Sequence, residues 1–149
     1  MPYTKAQQKE NEYYERVLEA SRREQINIFE KKLIWLKKYW KIIDPNTFNQ
    51  MLKSKKKIIG NNLFLTFDDG YLSDYYITKE VLNPMGIKAL FFVIPDFIKI
   101  KEKKEREDFI FNNVFPESSE SDLSHIKNEL LNMSDKEIRY LINSGQKIG

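Results

Sequence analysis

The sequence contains no cysteine. Disulfides, thiolate metal sites and a cysteine nucleophile are thereby excluded. Any bound metal must rely on oxygen and imidazole ligands, a donor set suited to zinc, manganese or magnesium but not to an iron–sulfur cluster. Imidazole is itself scarce, because His125 is the one histidine, and its Ser/Glu-rich surroundings read as a solvated loop. Glycine and proline number five each in 149 residues, too few for a long flexible or low-complexity segment. Long apolar runs are missing too. The longest, ALFFVI, falls far short of the roughly 20 residues a membrane-spanning helix needs. The N-terminal MPYTKAQQKENEYYERVLEA has no apolar signal core. These absences predict a soluble, cytoplasmic chain with no membrane span, export being left open. The net charge of +3 is too small to imply nucleic acid by itself.

What is present suffices for one ordinary domain with a real core. Ile26, Phe29, Leu33, Leu36 and Trp40 recur at steps of three and four, so the first forty residues read as helix. Asp44-Pro45 then predicts a restart, with Asp44 as N-cap and Pro45 at the first helical position. That second helix runs through Phe48, Met51 and Leu52 into KSKKK. NLFLTF, bounded by Gly60-Asn61-Asn62 and Asp68-Asp69-Gly70, reads as one buried strand. Ser73 or Asp74 is expected to start a helix that stops near Asn83-Pro84-Met85-Gly86, and IKALFFVI reads as a second buried strand. Strand, helix and strand make a βαβ unit with a parallel pair. Residues 99–108 read as solvated helix or loop, and 112–124 as a surface connection. Ser134 and Glu137 predict a capping box, Gly145 a helix C-cap, and QKIG a strand just beginning.

The chemistry-bearing feature is FLTFDDGY, residues 64–71. Neighbouring side chains on a regular strand point to opposite faces. At a strand end beside a glycine, however, the backbone can turn and bring both carboxylates into one cleft. In parallel α/β folds that edge is where ligands bind. Two carboxylates there can divide their work, one ionised on a metal and the other a general base. The tripeptide alone also fits a turn or helix cap. Its flanking strands and helix favour chemistry.

The stretch LFLTFDDGYLSDYYITKEVLNPMGIKALFFVIPDFI resembles the first motif region of polysaccharide deacetylases with the NodB homology domain, the family-four carbohydrate esterases. FEKKLIWLKKYWKIIDPNTFNQMLKSKKK resembles that family's lead-in, and MSDKEIRYLINSGQKIG the approach to its second motif. The resemblance covers about residues 28–149. It implies an α/β fold made of the first strands and helices of a distorted (β/α) barrel, with residues 1–57 as a helical N-terminal segment and 58–149 as the barrel part. It also implies metal-dependent removal of N-acetyl, or sometimes O-acetyl, groups from a polysaccharide. Asp68 would be the catalytic base and Asp69 a ligand of a divalent metal, zinc first. Tyr71 is a candidate to line the cleft, since aromatic rings stack on sugar faces.

The family's two histidine ligands belong to a His-Ser/Thr-x-x-His motif expected directly after SGQKIG. Without them the barrel is incomplete, and the expectation is a truncated, inactive form. The alternative is a non-catalytic pseudoenzyme or a carbohydrate- or protein-binding module. Residues 31–57 hold nine lysines and one aspartate, with Trp35, Tyr39 and Trp40 interleaved. A nucleic-acid or acidic-glycan surface is one reading of them, and a solvated helix face is the favoured one. Phe91, Phe92 and Phe97 are assigned to the core, and Glu12, Glu15 and Glu19 to a salt-bridged helix face.

Overall fold

Why the candidate site stands where it does follows from the five short strands among the described residues and the helices between them. The structure, a computed structural model, describes residues 5–54, 59–116 and 130–149. His125 and the expected segment boundary at 57/58 lie outside the described residues. The long helix α1 (Lys5–Leu36) leads into β1 (Lys41–Ile43) and α2 (Pro45–Lys53). Next come β2 (Asn62–Phe64), β3 (Thr66–Phe67) and α3 (Leu72–Ile77), the last continued by a π-helical turn, Thr78–Leu82. Then follow β4 (Leu90–Phe91), α4 (Pro95–Lys99) and α5 (Lys103–Phe109), the last continued by the π-helical Ile110–Val114. The final elements are α6 (Asp135–Asn143) and β5 (Lys147–Ile148).

Local chemistry accounts for the helix starts. Asp44 caps α2 by accepting the Asn46 and Thr47 amides at 2.9 and 3.0 Å, with Pro45 at the first position, where a missing N–H costs nothing. Ser134 and Glu137 form the expected capping box of α6. The α3 start differs from expectation. Its cap is Tyr71, with no side-chain cap bond, so neither Ser73 nor Asp74 opens the helix.

The run NLFLTF is not one strand. Its first half, β2, pairs parallel with β1, and its second half, β3, pairs parallel with β4 on the three-stranded sheet β3-β4-β5. The break at Leu65 lets one extended run serve two neighbours. The βαβ unit and its parallel pairing are as expected, and Lys147–Ile148 adds a third parallel strand. Strand β1 and helix α4 were not expected. KII is too short to show a periodicity of its own, and α4 begins at Pro95, directly after the run that reads as an apolar strand.

The core joins α1 to the sheet. Ile26 and Leu33 are buried with Val81, Leu82, Ala89, Phe91, Met133 and Leu141, while Phe29 reaches the Phe67 ring at 6.0 Å. Trp40 lies past the end of α1 and is exposed. Phe91 and Phe97 are fully buried, but Phe92 is 47% exposed. This corrects the assignment of all three to the core, because extended neighbours alternate faces. Among the described residues, no helix is long and apolar enough to cross a membrane.

A buried amide ties the connection between α6 and β5 to the segment that leads into β4. Gln146 Oε1 accepts the Ala89 amide at 2.7 Å, and its Nε2 donates to Asn83 Oδ1 at 3.0 Å and Ile87 O at 3.1 Å. Removing one partner from such a set leaves the others desolvated and unpaired, at about 1–3 kcal/mol. Gln146→Leu is therefore expected to lower unfolding free energy by that amount in urea melts. A variant as stable as the parent would refute this account of the buried network.

Candidate functional site

Asp68 and Asp69 follow directly on β3, at the carboxyl-terminal edge of the parallel sheet. The Gly70 amide donates to the Asp68 carbonyl at 2.9 Å, closing a three-residue turn with Asp69 at its centre. Asp69 has φ of +70°, a region that L-residues rarely occupy and that aspartate tolerates better than most. Such strain costs of order 1–3 kcal/mol and persists only where the surroundings enforce it. The turn separates the two side chains. Asp68 is exposed, whereas Asp69 is half-buried. Gly70 has φ of +95°, and a Cβ there would lie 2.8 Å from Ile98 Cδ1, so both the dihedral and the space require glycine.

A second segment holds this turn in place. The Leu72 amide donates to Leu131 O at 2.6 Å and the Met133 amide donates to Gly70 O at 2.9 Å, with Tyr71 and Asn132 bridged antiparallel between them. Asn132 also spends its side chain here. Its Nδ2 donates to Phe97 O at 2.8 Å and Ile100 O at 3.0 Å, at the end of α4, while Oδ1 accepts Arg106 Nε at 2.7 Å. The Ile94 amide donates to Asp69 O at 3.2 Å from the other side.

Tyr71 turns its ring edge-on to the buried Phe97, with centroids 5.6 Å apart. Its hydroxyl oxygen is buried and makes no hydrogen bond of acceptable geometry. Burial first, and then the Asp69 and Asp74 carboxylates, push this phenol up to about 12. The ring thus packs on the core at one side while the polar tip stays close to the carboxylates.

Asp74 is the residue that sequence reasoning missed. The sequence marks it only as a possible helix start, yet it sits in the first turn of α3, partly buried, and feels both motif carboxylates. Burial raises it from 3.8 to about 7. Hydrogen bonds from Ser73 and the Tyr71 backbone oppose the rise, and the charges of Asp69 and Asp68 add to it. The available signal was its position in the first turn of the helix after a ligand-binding strand edge.

These carboxylates alone do not make a zinc site. No group of three or more His, Asp or Glu side chains able to hold a metal occurs among the described residues, whereas a catalytic zinc takes three protein ligands and a water. The described donor set does not fit the metal that the family resemblance implies.

No family model and no curated protein matches the chain. The solved structure of IcaB from Ammonifex degensii is similar, with a TM-score of 0.60 and 22% identity over 83% of this chain. The match covers 43% of the IcaB chain, so this chain spans less than half of it. The likeness shows the fold: a mixed α/β arrangement with short parallel strands.

Two outcomes follow. Because the folded chain holds the Asp74 proton to higher pH than the unfolded chain, the contribution of this group to stability is complete below about pH 4. It declines as pH rises through about 7. Asp74→Asn is expected to flatten that decline and, in metal-free buffer at pH 8, to stabilise the chain by roughly 1–3 kcal/mol. Equal pH profiles for the two proteins would contradict the assignment. Asn132→Ala is expected to lower hydrogen-exchange protection of the Leu72 and Met133 amides about tenfold or more while the Phe92 amide keeps its protection. Unchanged exchange at Leu72 and Met133 would show that the side chain of Asn132 does not support the turn.

Proposed function

We propose that this chain carries part of the machinery of a hydrolase that removes acetyl groups from a polysaccharide. The observation that carries the reading is the adjacent pair on one strained turn at a parallel-strand edge, one carboxylate in solvent and its neighbour half-buried. The TFDDGY resemblance and the fold likeness to IcaB support a polysaccharide-deacetylase relationship. In this reading Asp68 takes the proton of the attacking water, the role an exposed base at a ligand-binding edge can fill. Asp69 is the residue proposed to offer an oxygen to a divalent metal, zinc first. Tyr71 is proposed to border the acetylated sugar.

A second reading has an observation of its own. The shortage of metal donors among the described residues favours a non-catalytic chain that keeps the front of the fold for binding sugar or protein.

The two readings part on turnover. A polypeptide joining this chain to a His-Ser/Thr-x-x-His segment is expected to release acetate from an N-acetylated oligosaccharide, and Asp68→Asn in it to lower kcat/KM by about 10²–10⁴-fold. The 149-residue chain is expected to bind zinc more weakly than about 100 μM in calorimetry and to release no acetate. If the joined polypeptide bound the oligosaccharide without releasing acetate, the deacetylase reading would fall and the binding-module reading would take its place.

A further inference from the structure

The outer face of α1 carries groups that the candidate site does not use. Ile28, Trp35 and Tyr39 are 45%, 56% and 58% exposed. Ile28 and Trp35 stand two helical turns apart and Tyr39 follows one turn further on, so the three fall on one line. The Trp35 and Tyr39 rings meet with centroids 5.1 Å apart and planes tilted by 55°. Turning the helix cannot hide them, because Ile26 and Leu33 hold its opposite side in the core. Single apolar side chains on a surface are ordinary, whereas a line of them marks a face that something covers.

Lysines straddle this line. At about 100° per residue, Lys31 and Lys32 project to either side of it between Ile28 and Trp35. Neither they nor Lys37, Lys38 and Lys41 have an ion-pair partner among the described residues. Residues 28–41 hold five lysines and one acid, Glu30. That excess is larger than the +3 of the whole chain, so the rest of the chain is slightly acidic and the basic charge is gathered at the aromatic line. A shallow groove of about 460 Å³ follows the same turn, lined by Lys31, Lys32, Trp35 and Leu36. Its surface is almost wholly apolar, so the two lysines contribute their methylene stems and keep the ammonium groups at the rim.

The chemistry of the line decides what covers it. A second copy of this chain does not suit it, because two such faces would oppose lysines to lysines. A soluble polyanion would meet the ammonium groups but leave Ile28 and both rings in water. The boundary of an anionic bilayer meets both needs. Trp and Tyr rings settle at headgroup level, an aliphatic side chain enters below them, and lysine stems lie along apolar surface with their charges at the phosphates.

We propose that the carboxyl-terminal part of α1 lies on an anionic lipid surface, with Ile28, Trp35 and Tyr39 entering the headgroup region and Lys31 and Lys32 pairing with lipid phosphates and carboxylates. No helix has to cross the bilayer for this, and the chain is held at its surface. A helix face that looks merely solvated in the sequence is, at its end, a lipid-facing one. None of the residues of the deacetylase reading takes part, so the membrane contact stands or falls separately.

The two tryptophans of the chain, Trp35 and Trp40, both lie in this segment, so intrinsic fluorescence reports on the contact directly. Vesicles of phosphatidylcholine with about 30% phosphatidylserine are expected to give a blue shift and saturable co-sedimentation, and phosphatidylcholine alone neither. Raising salt to about 0.5 M, where charges are screened beyond a few ångströms, is expected to weaken binding about tenfold or more. Trp35→Ser with Tyr39→Ser, and separately Lys31→Glu with Lys32→Glu, are each expected to lower the partition constant about tenfold or more. The Ala89 and Phe92 amide signals are expected to stay unmoved in both. Should the serine pair disturb those signals, quenching of the parent's fluorescence by lipid brominated in the acyl chain is read in its place. Binding to the anionic vesicles weaker than about 10³ M⁻¹, below what one myristoyl chain provides, would overturn the membrane contact. Vesicle binding that the serine pair leaves unchanged, or that bromine does not quench, would overturn it too. Equal, Lys31- and Lys32-dependent binding to soluble polyglutamate would then make the face a polyanion surface.

Discussion

A short antiparallel clip, residues 70–72 against 131–133, holds the turn on which every candidate functional group stands. Asp69 occupies a backbone region that costs an L-residue free energy, and within the turn only the hydrogen bond from the Gly70 amide to the Asp68 carbonyl works against that cost. The rest of the offset comes from outside, through the Gly70 carbonyl, the Leu72 amide and the Ile94 amide on the Asp69 carbonyl. Asn132 sits at the junction because its backbone bridges Tyr71 while its side chain gathers α4 and Arg106 of α5. Strain at one point is thus distributed over hydrogen bonds to α4, α5 and the 131–133 segment.

The clip also concentrates negative charge. Asp68 and Asp69 project from one turn, and α3 begins at once, so Asp74 arrives in its first turn close enough to feel both. Burial and these neighbours keep the Asp74 carboxyl protonated to near neutral pH, which limits the repulsion that three ionised carboxylates would create. The same desolvation acts on the Tyr71 hydroxyl. A site with an exposed acid, a half-buried acid and a reluctant third acid has three chemically different groups made from one residue type.

Much of this was legible in particular residues. Asp44-Pro45 and Ser134/Glu137 announce helix starts because capping depends on contacts within three residues. The alternation of polar and apolar runs announced the βαβ unit, and Asp-Asp-Gly after an apolar strand pointed to the site. Other features were not legible. The division of NLFLTF between two sheets depends on which strand lies on each side. The exposure of Phe92 depends on where the regular pairing of IKALFFVI ends. Asn132 gave no local signal at all, because its partners lie about 26 to 35 residues away in sequence.

The sequence by itself determined the helix caps, the parallel unit, the absence of thiol chemistry and the pair Asp68–Asp69 as the place to look. Each of these follows from composition or from interactions between near neighbours. Only the tertiary structure decided that the pair stands on a strained turn, that Asn132 and Arg106 brace it, that Asp74 joins it, and that Trp35 and Tyr39 stay outside the core. These are consequences of contacts between segments far apart in the chain, and burial, which sets both the charge states and which aromatic rings remain in solvent, exists only once those segments have packed.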